Sequence, residues 1–235
     1  LMKNIFIKLK NIINKILFKI GYRISKVNNS GELVKIYKYK DYDEYRETQI
    51  YYNKKKIDKI WADEKTLRTI SDFLSENIQT DKIKGICHGS RNGFEQKYFN
   101  EYNKNFEVIG TDISETAKNF KDSVVHDFHD EKTEWINNFD FVYSNSLDQS
   151  FDPKKALTVW LNQIKNNGFV IIEHSDQHGV ISSGKMDPFG VEANFFPYLL
   201  SEWFGHSIAI KIIKGLKLNK NNAPVFLFIL KKNNK

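Results

Sequence analysis

The segment of this chain best suited to hold a small ligand reads Cys87-His88-Gly89-Ser90-Arg91-Asn92-Gly93-Phe94-Glu95. Gly89 and Gly93 permit a tight turn and close backbone approach. The turn runs into a helix-forming stretch whose first N–H groups would face the ligand. A dinucleotide loop reads G-x-G-x-x-G, and this segment departs from it. Arg91 stands where the second glycine belongs, and no glycine comes three residues after Gly93. Glu95 also falls in the first helical turn, where a pyrophosphate would meet like charge. A ligand carrying both a carboxylate and a positive centre suits the segment better.

S-adenosylmethionine has both, with an ammonium and a sulfonium. Thr111-Asp112-Ile113-Ser114 places an acid at the end of an apolar run, nineteen residues after Gly93. A carboxylate there can accept from both hydroxyls of a ribose; the alternative, a helix N-cap, can be filled by Ser114. His126-Asp127-Phe128-His129 offers Asp127 to an adenine amino group, the alternative being a solvated loop acid. Ser144-Asn145-Ser146-Leu147-Asp148 offers small polar groups to the methionine part or to a methyl acceptor. Glu173-His174-Ser175-Asp176-Gln177-His178 supplies imidazoles. A hydroxyl acceptor needs a base within hydrogen-bond reach, and His174, oriented by Asp148 or Asp176, is the first choice. His178 is the second, and a plain positioning role is the alternative for both. His174, Asp176 and His178, like His126, Asp127 and His129, are metal-capable, but neither spacing is diagnostic and no metal is assigned. Ser182 to Gly190, followed by Phe195, Phe196, Tyr198, Trp203 and Phe204, reads as an acceptor wall or lid, or as core. Gln49, Asn53 and Lys54 are placed to close over the ligand from an early helix. Cys87 reads as a small strand residue, since nothing beside it in sequence activates a thiol.

These tips require strands that alternate with helices. Apolar runs predict strands at 83–88, 107–112, 124–128, 139–144, 169–173, 208–213 and 225–230. Helices are expected at 94–103, 115–122, 153–166 and 194–203. Such alternation implies an α/β fold with a mostly parallel sheet. The link 215–224 lacks a helical period, which makes the last two strands an antiparallel hairpin at the sheet edge. Upstream, 33–39 leans towards strand and 41–77 reads mostly as helix, with Asp41 as N-cap and a break near Asp63. Three units result: a basic amphipathic arm over 1–30, a mostly helical cap over 31–79 and the main domain over 80–235.

The chain has 235 residues, 40% hydrophobic and 14% aromatic, enough for a sizeable core. Its single cysteine excludes an internal disulfide framework and favours a reducing, cytoplasmic setting. No apolar run is long enough to span a bilayer. The formal net charge is +7, yet residues 1–40 carry ten Lys or Arg against Glu32 alone, so the remainder is −2. A nucleic-acid partner is therefore not expected, because the basic surface lies away from the candidate site. In the arm, Ile5, Leu9, Ile12, Ile16 and Ile20 recur at helical spacing with lysines between them. That stripe is expected to pack on the protein's own domain or on a second copy; the alternative is peripheral contact with an anionic membrane at the inner face.

The four tips in this order, with an antiparallel last strand, resemble the class I S-adenosylmethionine-dependent methyltransferases over about residues 80–235. The Cys-His-Gly-x-Arg-Asn-Gly-x-Glu loop and the Tyr-Ser-Asn-Ser-Leu-Asp stretch are similar to those of a bacterial group found in surface-polysaccharide pathways. The resemblance implies a Rossmann-like seven-stranded sheet with an antiparallel last strand, plus an N-terminal helical extension. It implies S-adenosylmethionine as cofactor and O-methylation of a small molecule or a sugar. By position, Gly89, Ser90, Arg91 and Gly93, with Asn92 between them, match the methionine-side loop. Asp112, followed by Ile113, matches the ribose acid, Asp127 and Phe128 the adenine contacts, and Ser144, Asn145 and Ser146 the motif after the fourth strand. Two positions depart: Cys87 stands where an acid is common, and Arg91 replaces the middle glycine. Orienting the ligand ammonium then falls to Glu95 or Asp148, and Arg91 pairs either with the ligand carboxylate or with Glu95. Two other readings remain at this point: an NAD(P)-dependent oxidoreductase, and a non-catalytic membrane-associated protein with a degenerate cofactor site.

Overall fold

The computed structural model describes residues 30–216 and 224–233, with residues 9, 12–14, 16, 17, 19, 20, 22 and 24 of the arm. Its centre is a seven-stranded sheet built from β2 (Ile83–His88), β3 (Phe106–Asp112), β4 (Ser123–Val125), β5 (Phe139–Ser144), β6 (Ile164–Ser175), β8 (Ile208–Leu216) and β9 (Val225–Lys232), in the order β4-β3-β2-β5-β6-β9-β8. The first five run parallel, and β9 is antiparallel to both β6 and β8. The expected Rossmann-like sheet with one antiparallel strand is what forms. The link 217–223 lies outside the described residues.

Strands buried on both faces read as continuous apolar runs, and β5 shows why. Phe141 and Tyr143 point to one face and Val142 to the other, and all three are buried. On the first face, Leu67, Ile70 and Leu74 of α2 (Glu64–Asn77) and Phe99 of α3 (Phe94–Tyr102) cover the sheet. On the second, Trp160 of α4 (Pro153–Gln163) and Phe196 and Leu200 of α5 (Phe196–Phe204) do so. Each such side chain contributes about 1.5–3 kcal/mol on burial. Helix starts follow local chemistry: Asp63 caps α2, and Asp152 caps α4 with Pro153 in its first turn. Asp41 caps α1 (Tyr42–Lys55), as its sequence predicts.

Several elements differ from the sequence-based expectations. Residues 115–122 form only a 3₁₀ turn, Glu115–Asn119, because Ser114 and the short link to β4 leave no room for a longer helix. The third strand of the main domain is confined to Ser123–Val125, since the chain then turns to present Asp127. α4 stops at Gln163, and β6 extends from Ile164 to Ser175, well past the predicted 169–173. Finally, β1 (Val34–Ile36) pairs antiparallel with β7 (Phe189–Val191), a small second sheet that local pattern did not foretell.

In the arm, Leu9, 12–14, 16 and 17 are helical; Ile5 lies outside the described residues. Of the stripe, Leu9, Ile12, Ile16 and Ile20 are exposed, while Ile13 and Leu17, which adjoin it, are partly buried.

Candidate functional site

The strand order reverses between β2 and β5, and the crevice beyond their C-terminal ends is where ligands bind in such sheets. The glycine turn leaves β2 there. Gly89 and Gly93 take left-handed backbone angles (φ 70° and 74°), and a Cβ on Gly89 would stand 2.6 Å from Ser146 Cβ. Arg91 is left-handed too, at φ 45°, unusual for a side chain with a Cβ. Two contacts hold it: its N–H donates to Asp112 Oδ2 at 3.1 Å and its guanidinium to the Lys59 carbonyl at 3.1 Å. Neither of the two partners that the sequence offers Arg91, the ligand carboxylate and Glu95, makes these two contacts. From the β5 tip, Ser144 Oγ donates to the His88 carbonyl and Ser146 Oγ to that of Gly89. These serines brace the turn from beneath.

The first half of the cleft is narrow, with about 30 Å³ of open space, and is walled by Asp112, Ile113, Asp127 and Phe128 below and by Tyr45, Gln49 and Asn53 of α1 above. Asp112 is buried and receives N–H bonds from Ser114 and Arg91. Burial raises its pKa, and those bonds with the Arg91 charge oppose the rise. Asn53 Oδ1 accepts from Thr116, while its buried Nδ2 is without a hydrogen-bond partner at the cleft wall. Asp127 is more heavily engaged. Its Oδ1 accepts from the His129 N–H and faces His129 Nδ1 at 2.6 Å, and its Oδ2 accepts from Tyr42 OH at 2.8 Å. Burial pushes this carboxyl up, but His129 and Tyr42 more than offset it and leave it below its usual range. A carboxylate offers about four acceptor sites, so Asp127 keeps one for a ligand.

The second half opens into a cavity of about 780 Å³. Ser90, Asn92, Glu95, Asn145 and Ser146 line its inner end, and Asp148, Trp61, Gln177, His178 and Asp187 its outer end. Lys56, Arg91 and Met186 wall both halves, with Lys56 Nζ 2.7 Å from Met186 Sδ. The Asp148 side chain keeps only 11% of its exposure, and its buried Oδ1 has no hydrogen-bond partner. Burial pushes Asp148 up to about 7, against the lowering influence of Lys56 and backbone N–H groups. Burial and then the Asp148 charge push Asp187 up to about 7 as well. His178 Nε2 lies 3.8 Å from Asp148 Oδ2, and burial takes that imidazole down to about 4.

His174 is not brought to the cavity. Because β6 continues to Ser175, its ring lies within the strand, bonded through Nε2 to the Val191 carbonyl and packed against Phe196 and Phe228. Burial, then His178, holds it well below its ordinary value. The first-choice base of the sequence reading is thus a core residue, while Asp148 and His178 do line the cavity. Asp176, the other candidate to orient it, is not among the cavity-lining residues. Gln49 and Asn53 reach the cleft, whereas Lys54 is exposed and Lys56 takes its place. Ser144 supports the turn rather than lining the cleft. Cys87 is a buried β2 residue with its thiol pushed up by burial. Sequence reasoning missed Tyr42, Lys56 and Trp61, whereas Ser182, Met186 and Asp187, within the segment it read as an acceptor wall or lid, do line the cavity. The helical face shared by Gln49, Asn53 and Lys56 was the one available signal. Among the described residues no group of three or more His, Cys, Asp or Glu could hold a metal ion.

The sequence matches no protein-family model and no curated protein. Solved structures share the fold. The 1,6-didemethyltoxoflavin-N1-methyltransferase of Burkholderia thailandensis, with bound 1,6-didemethyltoxoflavin and S-adenosylhomocysteine, superposes with a TM-score of 0.63 at 13% identity, covering 89% of this chain and 99% of that one. The plantazolicin methyltransferase BpumL, in complex with a triazolic desmethylPZN analog and SAH, gives 0.60 at 13% identity over 81% and 96%. The [4+2]-cyclase SpnF gives 0.53 at 11% identity over 71% and 81%. At these identities the likeness establishes the Rossmann-like methyltransferase fold. The reaction has to be argued from the site.

Proposed function

We propose that this chain is an S-adenosylmethionine-dependent methyltransferase that methylates a hydroxyl of a polar small molecule, a sugar or sugar phosphate. The observation that carries the reading is the joined cleft: a narrow half walled by Asp112 and Asp127, sharing walls with a larger half lined by Asp148 and Asp187, whose carboxyls are pushed up to about 7. The residues present fit the cofactor. Asp112 would hold the ribose hydroxyls, Ile113 and Phe128 flank the adenine, and the remaining acceptor site on Asp127 takes its amino group. Glu95, buried beside the turn, supplies the negative charge for the ammonium that Cys87 lacks. The four remaining N–H donors of Arg91 are available to the ligand carboxylate. When bound, S-adenosylmethionine supplies an already activated methyl group, which leaves the protein alignment and proton handling.

Proton handling falls to Asp148. With Asp148 near 7 and His178 near 4, the carboxylate is the stronger base of the pair. At neutral pH His178 is uncharged and orients rather than accepts. Asp187 lines the same cavity, and the Asp148 charge adds to burial in raising its pKa. Trp61 gives the outer end an apolar face, and Gln177, Gln149 and Ser182 give it hydrogen-bonding groups, a combination suited to a polyhydroxylated ring. Lys56 and Lys59 favour an acceptor that also carries negative charge. The resemblance of the loop to enzymes of surface-polysaccharide pathways supports a glycan intermediate as the source of that acceptor.

Calorimetry with S-adenosylmethionine, its demethylated product and NADH tests the cofactor. Binding of the first two and not the third is expected; binding of NADH alone would overturn the reading in favour of an oxidoreductase. Transfer of labelled methyl groups to a panel of free and phosphorylated sugars then tests the acceptor class.

A further inference from the structure

We propose that the N-terminal arm seats the protein on an anionic lipid surface. Leu9, Ile12, Ile16 and Ile20 are spaced by three, four and four residues, the first three on the arm's helix and Ile20 in the turn beyond it. Their exposures are 52%, 58%, 63% and 66%, and Tyr22 and Ile24 beyond them are also exposed, at 68% and 47%. The arm folds back on itself through Asn14, a buried polar side chain among the described residues. Asn14 donates from Nδ2 to the Ile24 carbonyl at 2.8 Å and accepts from the Ile24 N–H at 2.6 Å. This clasp uses up the polar group of the inner face and leaves the apolar stripe outward.

Charge selects the partner. Residues 1–30 carry seven Lys or Arg and no acidic side chain, whereas the chain beyond residue 40 sums to −2. A surface of anionic headgroups over hydrocarbon satisfies both the charge and the stripe. A nucleic acid would satisfy the charge alone. A second copy would bring like charge against like, and would need it screened. Among the described residues no helix is long and apolar enough to cross a membrane, so the contact is peripheral.

The test uses the full chain and two kinds of vesicle, phosphatidylcholine alone and phosphatidylcholine mixed with phosphatidylglycerol, at 0.15 M salt. Co-sedimentation with the mixed vesicles is expected. The double substitution Ile12→Asp with Ile16→Asp should weaken it by about tenfold or more. Both positions are exposed, so the thermal midpoint of the variant should match that of the parent. Equal binding to both vesicles, or unchanged binding by the variant, would overturn the proposal. So would a dimer in free solution that the variant splits while neither protein binds vesicles. Retention on single-stranded DNA without vesicle binding would point to a nucleic-acid arm instead, and would also overturn it.

Discussion

Asp112 and Asp127 hold their carboxylates among N–H and O–H donors of the protein itself, while Asp148, 21 residues after Asp127, leaves a buried oxygen without any. The two halves of one cleft thus treat the same functional group to different degrees. Donors on both oxygens hold a carboxylate in place and oppose the rise that burial imposes, which suits recognition of hydroxyl and amino groups. Burial that leaves one oxygen without a donor raises the affinity for a proton further, which suits proton handling near neutral pH. On the proposed function, the difference separates a binding half from a reacting half within one continuous groove.

The contrast breaks first at Asp148. Asp148→Asn should lower turnover by about 10²–10⁴-fold and leave the cofactor dissociation constant unchanged, read by single-turnover methyl transfer alongside calorimetry. Turnover in the parent should rise as pH climbs through about 7, because the deprotonated carboxylate is the active form. Stability runs the other way. The folded-state pKa values of Asp148 and Asp187 lie above their unfolded values, so the protonated form is favoured on folding. The stability this gives is full below about pH 4 and is lost as pH rises through about 7. Asp187→Asn should therefore raise the thermal midpoint at pH 8 by about 2–4 °C, with no gain at pH 4; an equal gain at both values would show that its charge is not what matters.

At the binding half, Asp112→Ala should weaken cofactor affinity by about 10–100-fold, because charged hydrogen bonds are worth about 1.5–3 kcal/mol each. Unchanged affinity would remove the ribose assignment. Tyr42→Phe, which frees one oxygen of Asp127, should change affinity by about fivefold at most, in keeping with about 1 kcal/mol for a single hydrogen bond. The smallest effect on activity is expected from His174→Phe. It keeps an aromatic ring, somewhat larger than the imidazole, and leaves the Val191 carbonyl without that donor, so the thermal midpoint drops while turnover stays within about twofold. A large loss of turnover at unchanged affinity would return His174 to the reaction.

Much of this was legible in the chain because it is written locally. β2, β3 and β5 are short and mostly apolar, the glycine turn is a contiguous motif, and Asp112 ends a strand as such acids do. Asp41 and Asp63 mark helix starts by side-chain chemistry alone. What escaped depends on distance in sequence. The pairing of Val34 with Val191 spans 157 residues and rests on three residues a side, too short for any periodic signal. Asp187 joins Asp148 only through the fold. His174 was misplaced because a strand end cannot be fixed to within two residues from pattern, and each residue of error reverses the face a side chain occupies.

The small β1–β7 ribbon has a mechanical corollary. Residues 34–36 lead into α1, which roofs the narrow half, and residues 189–191 follow the Ser182–Pro188 loop, which borders the wide half. With about 30 Å³ open beneath the roof, Gln49, Lys56 and Met186 close in on the narrow half. The antiparallel ladder joins roof and border, so a shift of one strand carries to the other through paired backbone.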